Sequence, residues 1–127
     1  MKKIIKFVKN NYKLIELNKM WSWLFNQKCH INSVQQVKEQ NMDTVVLCFC
    51  ICNNWYTDDG FVHFINKRWE DYIDNTLWYL YKTYSYYLIK EIHPNGYSCI
   101  WYTLTDTKSS IIKECYPIMR HFKKYDI

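Results

Sequence analysis

Hydrophobic positions change period several times along the chain, and those changes divide it into elements. Over residues 3–25, Ile4, Ile5, Val8, Tyr12 and Ile15 recur at the 3.6-residue period of a helix, flanked by Phe7 and Leu14. Lys2, Lys3, Lys6, Lys9 and Lys13 fall on the opposite side. The spacing predicts a basic amphipathic helix, continued by Met20–Phe25, which is apolar nearly all round as a buried segment would be. Ile31, Val34 and Val37 predict a second, short helix over 31–40, with Asn32 or Ser33 as its cap.

The pattern then shortens. Apart from Leu47, residues 44–52 are β-branched, aromatic or Cys, and Asn53-Asn54 follows as a breaker, which predicts a strand. Val45, Leu47, Phe49 and Ile51 take one face, and Val46, Cys48, Cys50 and Cys52 the other. Both faces are apolar, as in a central strand covered on both sides. Asp58-Asp59-Gly60 is a turn signature and Phe61–Ile65 a second strand, so 44–65 reads as a hairpin.

From Asn66 as cap, a helix is expected over 67–92, with Trp69, Ile73, Leu77, Leu80, Tyr84 and Tyr87 as its core stripe. His93-Pro94-Asn95-Gly96 ends it. Residues 97–105 alternate as a third strand. A last helix starts at Asp106 or Thr107 and is interrupted by Pro117. The sum is an α+β fold, a small, mainly antiparallel three-stranded sheet packed against helices. The alternative is an all-α bundle with 43–52 as a buried helix, because periodicity does not separate a short apolar strand from a buried helical piece.

Composition adds three points. The 127 residues form one domain, 1–127, with no Pro-, Gly- or Ser-rich linker and no repeat. Alanine is absent and Lys outnumbers Arg 15 to 2, a codon bias compatible with an AT-rich genome such as that of a virus, a phage or an AT-rich microbe. Lysines interrupt any apolar export signal after Met1, and no stretch reaches the about 18 apolar residues of a transmembrane segment. The six Cys are therefore expected as free thiols in a reducing compartment, the cytoplasm of the producing or host cell.

Candidate chemistry is sparse. Two glycines, Gly60 and Gly96, exclude phosphate-cradling glycine loops. Cys48, Cys50 and Cys52 with His63 offer soft ligands for zinc, but their strand spacing favours core packing over a metal site. Six Cys and four His allow many nucleophile–base pairings, Cys29-His30 among them, and one sequence singles out none. No catalytic residue, metal or small-molecule cofactor is assigned, and an enzyme ranks third.

Charge and aromatics carry more. Residues 1–28 hold seven Lys and one acid, Glu16, while the rest hold ten Lys or Arg and eleven acids. The positive excess lies in the first segment, and Arg120–Lys124 forms a smaller basic group. On the expected helix 67–92, Trp78 and Ile89 lie opposite the core stripe, with Tyr79 and Tyr86 on a flank, as an interface anchor would. The expectation is a non-enzymatic interaction module, a small accessory or regulatory protein that occupies a partner surface, either another protein or a second copy as a homodimer. Its alternative is a nucleic-acid-binding module using the Lys2, Lys3, Lys6, Lys9 and Lys13 face for backbone contact.

Overall fold

β-Branched and aromatic residues that can pack on both faces of a pleat set the centre of this fold. The computed structural model of the chain describes residues 1–18, 28–53, 59–76 and 82–116. Thr44–Cys52 is a strand (β2), buried along nearly all its length. It pairs antiparallel with Gly60–Arg68 (β3), Cys48 facing His63 across the ladder, so the expected hairpin is formed. The all-α alternative falls with this ladder.

The sheet has five strands rather than three, all antiparallel, in the order β1-β5-β2-β3-β4. Here β1 is Lys13–Ile15, β4 is Asp71–Ile73 and β5 is Tyr84–Ile92. Asn18 donates its backbone N–H to the Tyr72 carbonyl at 2.8 Å, and Leu17 forms a bridge to Tyr72. The chain leaving one edge of the sheet thus meets the opposite edge, and the sheet curls around its inner face.

The expected helix over 3–25 ends early. Helix α1 is Lys2–Asn11, with Ile4 and Val8 buried beneath the exposed Lys2, Lys3, Lys6 and Lys9. Asn10-Asn11 are weak helix formers, and Tyr12 turns extended into β1, where ladder bonds to β5 replace helical ones. Helix α2, Cys29–Lys38, overlaps the second expected helix but starts earlier, so that Asn32 and Ser33, expected as its cap, are buried within it.

The expected helix 67–92 is not formed. Residues 67–68 complete β3, Trp69 turns the chain with φ of 56°, and β4 and β5 follow. The ladder between β5 and β2 wins because Tyr84, Tyr86, Tyr87, Ile89 and Ile92 are strand formers with a buried partner strand to join. Residues 97–105, expected as a strand, lie in a 3-10 turn (Pro94–Cys99) and helix α3 (Ile100–Cys115). As a helix, this segment buries Ile100, Leu104, Ile111 and Ile112 together. The expected break at Pro117 lies outside the described residues.

Two apolar layers result. The outer face of the sheet packs Val45, Leu47, Phe49 and Phe64 against Ile4 and Val8 of α1 and the buried residues of α3. The inner face holds Val46, Cys48, Cys50, Ile65, Tyr86 and Ile15. Each fully buried Leu or Phe contributes about 1.5–3 kcal/mol. Among the described residues no helix is long and apolar enough to cross a membrane. All six thiols are free, with Cys48 and Cys50 buried.

Candidate active site

Cys29 opens α2. The helix has no side-chain N-cap bond, so its first-turn N–H groups and dipole favour negative charge at that end. The thiol is half-buried against β3, close enough to the His63 side chain and the Phe64 backbone N–H for both to favour its anionic form.

His63 points from the middle of β3 into the inner face and is 3% exposed. Its Nε2 lies 2.9 Å from Asp74 Oδ2, a buried His–carboxylate pair. With Nε2 committed to Asp74, Nδ1 is the ring nitrogen left for Cys29. Cys48, across the ladder, donates its thiol hydrogen to the His63 carbonyl oxygen at 3.3 Å, fixing the backbone beneath the ring.

Asp74 follows β4 directly. Its Oδ1 accepts the Thr76 backbone N–H at 2.8 Å, and its Oδ2 accepts the Tyr86 hydroxyl at 2.5 Å besides meeting His63. A polar cluster ties these parts to α2. Asn32 Nδ2 donates to Thr76 Oγ1 at 3.0 Å, Asn66 Nδ2 to the Ser33 carbonyl at 2.9 Å, and Asn75 Nδ2 to Asn66 Oδ1 at 2.7 Å. Buried polar groups are kept where such bonds satisfy them.

Electrostatics follow the geometry. Burial alone would raise the Cys29 thiol. The His63 hydrogen bond and charge, with the Phe64 N–H, outweigh burial and hold it below the ordinary thiol range. Burial likewise opposes an imidazolium at His63, but the Asp74 charge and hydrogen bond, reinforced by Cys29, hold it well above the ordinary histidine range. A thiol shifted toward its anionic form thus stands beside an imidazole shifted toward its protonated form, which a carboxylate orients. This places a nucleophile, a base and an orienter in sequence, the arrangement that activates a Cys nucleophile.

The residues singled out in the sequence lie elsewhere or in other roles. Tyr86 is 2% exposed and faces the inner layer, whereas Ile89 packs toward the outer one, so the two do not share a surface. Trp78 and Tyr79 lie outside the described residues. Lys2, Lys3, Lys6, Lys9 and Lys13 are all exposed, Lys3 with its Nζ 5.4 Å from the centre of the Tyr116 ring. The basic group Arg120–Lys124 lies outside the described residues. Among the described residues no three His, Cys, Asp or Glu side chains are grouped to hold a metal ion, and Cys48 and Cys50 pack in the core.

Sequence reading missed Cys29, His63 and Asp74 as a set. The available signals were a Cys at the mouth of an expected helix, a His inside an expected strand and an Asp near the start of the expected helix 67–92. No protein-family model, no curated protein and no solved structure matches the chain.

Proposed function

We propose that the protein is a cysteine-dependent acyl-transfer enzyme, acting on an ester, thioester or amide. The observation that carries this reading is the placing of the Cys29 thiol beside His63, whose Nε2 is held at 2.9 Å by a buried Asp74 that Thr76 and Tyr86 also bond. The Cys29 thiolate attacks the carbonyl carbon, and the new oxyanion forms at the positive end of α2. The His63 imidazolium gives its Nδ1 proton to the leaving group as the carbonyl–leaving-group bond breaks, so the acyl group remains as a thioester on Cys29. Neutral His63 then takes a proton from water or another acceptor as that nucleophile attacks the thioester. The acyl product leaves and the thiolate–imidazolium pair returns. Asp74 keeps the ring in the tautomer that both steps need.

The test uses p-nitrophenyl acetate as an acyl donor. The expected result is a burst of nitrophenol with one acetyl group on Cys29 by peptide mass mapping, lost in Cys29→Ala and in His63→Ala. At pH 6, iodoacetamide is expected to label Cys29 before the more exposed Cys99. Equal labelling of the two thiols, with no acetyl-Cys29, rules the reading out.

A second reading, binding through an anionic partner's backbone, is favoured by the exposure of Lys2, Lys3, Lys6, Lys9 and Lys13. It predicts weak, sequence-independent, steeply salt-dependent binding to nucleic acid. Changing Lys6, Lys9 and Lys13 to Glu is expected to abolish that binding, and retained affinity in the triple variant excludes it.

A further inference from the structure

Tyr86 stands on β5 between β1 and β2, paired with Ile15 on one side and Cys50 on the other. Its ring packs in the inner layer, and its hydroxyl reaches past that layer to Asp74 Oδ2 at 2.5 Å. His63 Nε2 meets the same oxygen at 2.9 Å. The carboxylate is therefore held on both oxygens, by the Thr76 N–H on Oδ1 and by His63 and Tyr86 on Oδ2. A carboxylate fixed this way cannot swing out of the imidazole's reach, and a second donor on Oδ2 disperses the charge that Oδ2 presents to the ring.

We infer that Tyr86 is a positioning residue of the Cys29–His63–Asp74 site, locking Asp74 in place and moderating its hold on the His63 proton. The inference rests on the acyl-transfer reading through the ion pair between Cys29 and His63. Burial first, and then the Asp74 charge, push the phenol far above its ordinary range. Tyr86 therefore stays a donor at every working pH and carries no proton in the reaction. The groups facing His63 are Asp74 from the segment after β4, Cys29 from α2, Tyr84 and Tyr86 from β5, and Cys48 from β2. Cys50 faces Tyr86 from β2. Of these, the Asp74 carboxylate brings negative charge to the ring, and Cys29 adds to it in its thiolate form.

Tyr86→Phe keeps the ring and removes the donor. The probe is iodoacetate, an anion drawn to the imidazolium, so alkylation of wild-type Cys29 is expected to be bell-shaped in pH, its upper limb marking loss of the His63 proton. Losing a donor to a charged acceptor leaves more charge on Oδ2, and Tyr86→Phe is expected to move that limb up by about one pH unit. A merely structural role leaves the limb where it is. A second measurement needs no variant. The buried Tyr86 hydroxyl proton, slow to exchange, is expected to shift in the proton NMR spectrum along the same titration as His63. No bell in the wild type defeats the ion-pair reading itself. A wild-type bell that Tyr86→Phe leaves unmoved, or a hydroxyl proton blind to the His63 titration, overturns the role of Tyr86 alone.

Discussion

Asn32 donates its side-chain Nδ2 hydrogen to Thr76 Oγ1 at 3.0 Å, and this bond joins the two halves of the site. Asn32 lies one helical turn beyond Cys29 on α2. Thr76 gives its own N–H to Asp74 Oδ1. The helix that carries the nucleophile and the segment that carries the acid are thereby clamped through one buried hydroxyl. Asn32→Ala leaves Thr76 Oγ1 without that donor, at a cost of about 1–3 kcal/mol. Urea unfolding measures it. Slower labelling of Cys29 by iodoacetamide at pH 6 is expected alongside, and a variant that labels at the wild-type rate would show that the clamp does not position the thiol.

His63→Ala is expected to be more damaging. The Asp74 side chain is fully buried, and its charge would lose the imidazole while keeping the Thr76 N–H and the Tyr86 hydroxyl. Removing one partner of a buried ion pair costs about 3–5 kcal/mol. Asp74→Asn in the same background removes the stranded charge and should recover part of that loss. Failure of the double variant to exceed His63→Ala in stability would mean that Asp74 is not ionised in the fold.

The elements legible in the sequence were those whose faces differ by local pattern alone. In β2, Val45, Leu47, Phe49 and Ile51 do separate from Val46, Cys48 and Cys50 into the two layers, as alternation required. Residues 84–92 misled because Tyr84 and Tyr87 fit a helical stripe as well as a strand. Only the open ladder of β2 decides between them, and that partner is distant in sequence. The reverse holds for Ile100 and Leu104, whose spacing of four fits the alternation of a strand as well as one turn of a helix. The site was less legible still. Cys29, His63 and Asp74 come from three elements, and the Cys-His pair that is adjacent in sequence, Cys29-His30, is not the pair that bonds. His30 instead lies against Trp101, the ring centres 5.3 Å apart and the planes tilted by 59°.

Gly60 is needed for a close approach. A Cβ there would stand 2.5 Å from Phe49 Cε1 and 2.9 Å from the Cys50 carbonyl oxygen, and the latter is backbone that cannot yield. Gly60→Ala is expected to destabilise by about 1–3 kcal/mol. Gly96→Ala is the control, since its Cβ would meet Ile92 Cγ2 at an ordinary 3.5 Å. Thermal melts of the two variants should differ clearly, with equal melting points refuting the packing account.

Trp69 occupies the left-handed region at φ 56° in the turn between β3 and β4, and it is 79% exposed. Its backbone N–H donates to Asp43 Oδ2 at 2.7 Å, a bond that survives any side-chain change. Bulky residues adopt this conformation at a cost of about 1–2 kcal/mol, which Asn largely escapes. Trp69→Asn is expected to raise stability by up to about 1 kcal/mol in urea unfolding. A loss of stability would show that the exposed indole makes a contact the fold depends on.

The ion pair also sets how stability varies with pH. His63 has its folded value raised above the ordinary histidine value of about 6.5, chiefly by Asp74 acting against burial. Its contribution is full below about pH 6.5 and is lost as pH rises through the folded value. Cys29 has its folded value lowered, so its contribution is full above the unfolded thiol value of about 8.5 and is lost as pH falls through the folded value. Where the two windows overlap the slopes oppose each other, and the wild type varies less with pH than a variant lacking either group. Cys29→Ala removes the thiol's contribution and leaves the imidazolium held by Asp74. The stability of that variant is then expected to fall as pH rises above about 6.5, by at most about 1.4 kcal/mol per pH unit for one proton. Urea midpoints at pH 6, 7 and 8 check this. A Cys29→Ala curve as flat as the wild type would mean that Asp74 does not keep His63 charged, and the base of the site would have to be reassigned.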